Sequence, residues 1–186
     1  MRPTALNLDA NRRRPKSSLV YRVATFVVSI AYGGMLQALP VMQFKDRANY
    51  LNYAENSGEI LSAYAQDGFL TILANEPIWL IVNILLGALG NPEWTIRAVI
   101  FVSASVFSYV LLRQDPRNGF WLALMLLMPQ ILKNFITHLR QGLGIAIFFA
   151  GYFSTGNIRK WLLMVSAPFV HASFVFVLPF VILPNV

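Results

Sequence analysis

Two stretches, 19–40 and 94–112, are each close to the roughly 20 residues that a helix needs to cross the hydrocarbon core of a bilayer. Each carries one charged side chain, Arg22 or Arg97. This pattern limits the fold more than any other feature of the chain. Of the 186 residues 56% are hydrophobic and 12% are charged, against about 25% charged in an ordinary soluble domain. A soluble protein of this composition has too few charges to cover its surface, whereas lipid demands only that backbone polar groups pair internally. The expected class is therefore all-α, a polytopic membrane helix bundle of about five to six membrane segments.

Charge placement supports this class. The formal net charge is +7, but the cations form no continuous face for nucleic acid. Arg2, Arg12, Arg13, Arg14, Lys16 and Arg22 stand against Asp9 at the N-terminus. Lys45 and Arg47 face an excess of acid from Asp46, Glu55, Glu59, Asp67 and Glu76. Basic blocks alternating with apolar runs are topology signals, so the N-terminus is expected in the cytoplasm. Residues 1–18 read as a disordered basic tail, and 19–186 as the membrane domain, with 41–75 outside. The first apolar run is too long for a signal-peptide core and no small-residue cleavage pattern follows it. With no cysteine, disulfides and thiolate metal sites are excluded.

Along the chain, 41–75 is polar and aromatic, suited to one or two short interfacial helices. Glu76-Pro77 opens an apolar run to Gly90, with Pro77 fitting a first helical turn. That run is short for a crossing and is expected to re-enter the face it left. The basic loops 113–119 and 156–160 then fall inside, and 133–141 falls outside with 41–75. Residues 94–112, 120–132, 142–153 and 161–182 are the remaining helices, the second interrupted by Pro129.

Several polar residues stand out in this apolar setting. Gln130, Asn134, Thr137, His138 and Gln141 recur at helical spacing, flanked by Lys133 and Arg140. Such a stripe either lines water or substrate, or marks a helix end whose long side chains reach the interface. Gly142, Ala146, Ala150 and Ser154 form a small-residue face for close helix approach. His171 lies about a third of the way into the expected last helix, as a packing residue or a functional one. Asp46, Tyr50 and Tyr53 share a helical face, either as an N-cap with interfacial tyrosines or as a place to hold a sugar. Glu76 is a helix-start carboxylate or part of the same site. His138 and His171 have no partner ligands at helical spacing, which argues against a metal hydrolase.

The series Asp46-Arg-Ala-Asn-Tyr50-Leu-Asn-Tyr53, Glu76-Pro77-Ile-Trp, Leu139-Arg140-Gln141-Gly-Leu-Gly and His171-Ala-Ser173 resembles the EpsG family of polysaccharide biosynthesis proteins, which are similar to Wzy-type polymerases. The resemblance runs from about Val20 to the end of the chain. Its members are usually considerably longer, which implies an N-terminal portion. It implies a GT-C-like membrane fold in the bacterial cytoplasmic membrane and no metal or other cofactor. The implied activity is polymerisation of undecaprenyl-pyrophosphate-linked oligosaccharide units for exopolysaccharide, capsule or O-antigen, a glycosyltransferase reaction. The partners would be that lipid-linked glycan, the bilayer and other polysaccharide-assembly membrane proteins. On this reading Arg140 and His171 are catalytic. Asp46, Tyr50, Tyr53, Glu76, Lys133, His138 and Gln141 contact substrate. Two other classes fit the same sequence: a membrane transporter with the polar stripe along its path, and a non-catalytic subunit of an export assembly.

Overall fold

The structure is a computed structural model and describes residues 18–40 and 43–182. The tail expected over 1–18 lies, apart from Ser18, outside the described residues. In chain order the helices are α1 (Leu19–Gln37), α2 (Arg47–Asp67), α3 (Phe69–Ala74), α4 (Pro77–Gly87), α5 (Pro92–Leu112), α6 (Gly119–Leu126), α7 (Pro129–Ile136), α8 (Leu139–Tyr152), α9 (Asn157–Ser166) and α10 (Phe174–Ile182). The described residues contain no strand, so the all-α expectation holds.

Helices α1 and α5 start where their sequences place caps. The Ser18 hydroxyl accepts from the Tyr21 N–H at 3.2 Å. The Asn91 side chain accepts from the Trp94 N–H at 2.8 Å, with Pro92 in the first turn. The two helices run antiparallel. The Tyr21 hydroxyl donates to the Leu112 carbonyl at 2.6 Å, and at the opposite end Arg97 donates to the Gln37 carbonyl. The approach is close at Gly33, where a Cβ would stand 2.7 Å from the Phe101 carbonyl oxygen. Three buried serines of these apolar helices bond within their own helix: Ser29 to Thr25 O, Ser103 to Val99 O and Ser108 to Ala104 O. That is how a hydroxyl is tolerated in lipid. α5 is the central helix, 61% buried against 28% for α1. The outer face of α1 exposes Val20, Val23, Phe26 and Val27, as a lipid-facing surface does.

Several finer expectations need correction. Among the described residues two helices, α1 and α5, are long and apolar enough to cross a membrane, or three spans if Pro116–Leu126 and Pro129–Ile136, bent by 66°, count as one. The rest of the expected five to six segments are shorter helices, because the apolar sequence is repeatedly interrupted. Pro129 offers no N–H and forces Met128 into an extended conformation, which ends α6. α4, with 11 residues, is too short to cross. Residues 41–75 hold one long helix, α2 with 21 residues, rather than only short ones. The polar stripe does not lie on one helix: α7 stops at Ile136 and α8 begins at Leu139. The last helix is also two helices. A 3-10 turn over Ala167–Phe169 contains Pro168, and the chain is non-helical through His171 before α10.

The small-residue stripe is corrected too. Ser154 lies beyond the end of α8. Of its members Gly142 does make a close approach, to the Asn134 carbonyl (2.5 Å from an added Cβ), and two glycines outside it do the same, Gly144 against the Phe174 ring (2.5 Å) and Gly151 against Leu163 (2.9 Å).

These breaks place ends together. The start of α2 meets the end of α7, where Arg47 donates to the Ile136 carbonyl. The end of α1 meets the start of α5 through Arg97. Both ends of α4 lie near α2, with Gly87 close to the Ala54 carbonyl and Trp79 against Tyr50. α4 thus packs along α2 over its length. The loop containing Arg113 and Arg117 lies at the Ser18 end of α1, since Gly119 packs against Tyr21.

Candidate functional site

Glu76 precedes a proline, which disfavours the right-handed helical region. Its backbone is left-handed, with φ 54° and ψ 54°. For a residue with a Cβ that conformation costs about 1–3 kcal/mol, and such strain persists where surrounding contacts hold it. The side chain does not cap α4, so the helix-start reading of Glu76 is incomplete. Its carboxylate turns instead to two distant parts of the chain.

Oε2 accepts from Arg140 Nη1 at 2.7 Å. Oε1 lies 2.8 Å from His171 Nδ1 and accepts from the Ala172 backbone N–H at 3.1 Å. The Glu76 side chain is 12% exposed, against 33% for Arg140 and 30% for His171. The carboxylate is therefore enclosed, while both partners keep a face open. The break after the Pro168 turn makes this possible, because a continuous helix would have tied the Ala172 N–H to the residue four back.

Glu76 lies outside the membrane-spanning helices. Burial pushes its carboxyl up; the bonds from His171, Ala172 and Arg140 outweigh that and hold it below the ordinary value of 4.5. It is therefore ionised at neutral pH and can only accept. His171 must then donate through Nδ1–H. In the neutral imidazole this leaves Nε2 as the acceptor, the nitrogen a proton can be delivered to.

Tyr50 and Tyr53, on α2, frame this bridge. The Tyr53 ring centre lies 5.2 Å from the Arg140 guanidinium carbon, within cation–π range. Tyr50, one helical turn before Tyr53, lies close enough to interact electrostatically with Arg140. Both rings contact Trp79 edge-on, at 5.7 and 6.4 Å. A polar cavity of about 210 Å³ opens beside the bridge, lined by Tyr53, Tyr64, Asn75, Glu76, Trp79 and Arg140 among others.

The structure thus joins five of the residues singled out from sequence: Tyr50, Tyr53, Glu76, Arg140 and His171. The others stand apart. Asp46 occupies the N-cap position of α2 in a left-handed conformation and makes no side-chain cap bond. Lys133 is exposed on the last turn of α7, His138 is half-buried at the α7–α8 break, and Gln141 is half-buried on α8. None of the three hydrogen-bonds Glu76, Arg140 or His171 among the described residues. Sequence reasoning missed Tyr64, Asn75, Trp79 and the Ala172 N–H. Trp79 stood in the Glu76-Pro77-Ile-Trp run, but its burial depends on α2 folding over α4. No group of three or more His, Cys, Asp or Glu among the described residues is placed to hold a metal ion.

In comparisons with known proteins, the family model described as the EpsG family matches residues 13–186, nearly the whole chain. No curated protein and no solved structure matches.

Proposed function

The chain belongs to the EpsG family, a family of membrane proteins, and from that membership and the geometry at Glu76 we propose that it polymerises glycan units carried on undecaprenyl pyrophosphate. The observation that carries this reading is the meeting of Arg140 and His171 on one carboxylate. A polymerase of this kind needs a cation for a departing diphosphate and a base for an attacking hydroxyl, within reach of each other.

In the proposed reaction the acceptor hydroxyl oxygen attacks the anomeric carbon of the donor glycan. The bond from that carbon to the diphosphate oxygen breaks, and the diphosphate leaves with the electron pair. The hydroxyl proton passes to His171 Nε2. The open face of Arg140 donates to diphosphate oxygens, for which a guanidinium fork suits better than an ammonium. Glu76 is a positioning residue: it holds the imidazole tautomer and the orientation of the guanidinium, and touches no reacting atom. Tyr50 and Tyr53 brace the arginine.

The side of the membrane follows from charge. The Ser18 end of α1 and the loop carrying Arg113 and Arg117 share one end of the bundle, and we place the Glu76 site at the other end. The positive-inside rule puts that end in the cytoplasm, and the site then faces outward across the bacterial inner membrane.

The test is polymer growth in proteoliposomes from a lipid-linked repeat unit. Arg140→Lys and His171→Ala are each expected to lose most chain growth at matched protein levels. Near-normal polymer length in both would contradict the reading. The broken helices at α6–α7 and α9–α10 also resemble those of secondary transporters. Glycolipid flux across the vesicle without chain growth would favour that alternative.

A further inference from the structure

The cavity beside the bridge has features that neither the diphosphate nor the proton transfer uses. It holds about 210 Å³, below the roughly 300–1,000 Å³ of pockets for drug-sized ligands, so it admits one ring rather than an oligosaccharide. Its walls combine the rings of Tyr53, Tyr64 and Trp79 with polar groups from Asn75, Glu76 and Arg140. The charges on the wall are already matched, since Glu76 and Arg140 bond to each other. With Arg140 committed to Glu76 and, in the proposed reaction, to the diphosphate, the remaining wall offers aromatic and hydrogen-bonding groups without net charge, which suits an uncharged ligand with several hydroxyls.

One polar group there has hydrogen-bonding capacity to spare. Asn75 donates its amide nitrogen to the Thr71 carbonyl at 2.7 Å, which leaves its side-chain oxygen as an acceptor.

We propose that this cavity, walled by Tyr53, Tyr64, Asn75 and Trp79, is the subsite for a single uncharged sugar ring of the acceptor. The ring packs its C–H faces on the aromatic side chains and offers a hydroxyl to the Asn75 side-chain carbonyl. Because Glu76 and Arg140 form part of the same wall, a sugar seated here lies beside the bridge that carries His171. This inference rests on the polymerase reading for its acceptor role, but the binding itself is measurable without polymerisation.

The experiment uses the full chain in lipid nanodiscs and saturation-transfer NMR with a panel of methyl glycosides: the glucoside, galactoside, N-acetylglucosaminide, anionic glucuronide and cationic glucosaminide. At least one uncharged glycoside is expected to bind. Its affinity is expected to fall on the order of tenfold in Asn75→Ala, which loses the acceptor, and in Tyr64→Ala. Tyr64 is only half-buried, so the second variant covers the case in which Asn75→Ala fails to fold. Binding by charged glycosides alone, by none, or with no change in Tyr64→Ala overturns the subsite. If wild type then still grows polymer and Arg140→Lys does not, the polymerase reading stands without it. In the opposite outcome, a wild-type protein binds the glycoside, loses that binding in these variants and grows no polymer; the subsite then stands and the polymerase reading falls.

Discussion

Replacing Glu76 with glutamine keeps the shape of the side chain and removes its charge. One amide oxygen can still accept from His171 or the Ala172 N–H, but an amide NH2 then faces Arg140 Nη1, donor against donor. Hydrogen bonds to a charged group contribute about 1.5–3 kcal/mol each. Arg140 is 33% exposed, so water recovers part of its loss, and the ion-pair share falls toward that of surface pairs, about 0–1 kcal/mol. Together these give an expected destabilisation of about 1–3 kcal/mol for Glu76→Gln. The assay is unfolding in mixed micelles as the SDS fraction is raised, with Arg140→Gln and the double variant completing a cycle. A coupling of about 1 kcal/mol or more is expected between the two sites. The effect has a definite pH dependence. A carboxyl held below its ordinary value contributes stability above 4.5, and that contribution disappears as pH falls through the lower folded value. Wild type and Glu76→Gln should therefore converge in stability on acidification below 4.5. A zero coupling energy, or a stability gap that persists at low pH, would refute the bridge as described.

Glu93→Gln is the contrast, since the pair of Glu93 and Arg97 at 2.7 Å joins adjacent turns and Glu93 is 54% exposed; the same unfolding assay should show a loss below about 0.5 kcal/mol. Gly33→Ala should destabilise by about 1–3 kcal/mol through overpacking of α1 on α5, and a shift within error would mean the two helices separate freely. In the proposed polymerase, Arg140→Lys should slow chain growth on the order of 100-fold, the cost of one donor aimed at developing charge. His171→Ala should slow it by about 100-fold or more, and its pH–rate profile should lose the limb belonging to the base.

The helical membrane class was legible because lipid imposes a composition that few other environments permit. Pro77 announced the start of α4 correctly, since a proline in the first turn depends on local chemistry alone. The misreadings arose where a tertiary partner outcompetes continuity. Pro168 was visible, but a proline alone does not say whether a helix bends or stops. What stops it is the Glu76 carboxylate that takes the His171 and Ala172 nitrogens, a partner 95 positions away in sequence. The helical stripe of Gln130, Asn134, Thr137, His138 and Gln141 presumed that one helix ran through 137–138. Arg47 capping the Ile136 carbonyl marks where it ends instead. For the same reason Lys133 and His138 were grouped with Arg140 by spacing, while the residues that reach Arg140 came from α2 and the start of α4.

Everything proposed for the reaction depends on Glu76, Arg140 and His171 acting as one unit, with Glu76 serving the reaction through His171. The decisive measurement is the chain-growth rate for Glu76→Gln, His171→Ala and the combined variant. If Glu76 works in part by orienting the imidazole, removing it from a protein that already lacks the imidazole costs less than removing it from wild type, and the double variant should be slowed by well under the product of the two single defects. Two defects that multiply would mean that the carboxylate and the histidine do separate jobs, and the unit described here would not exist.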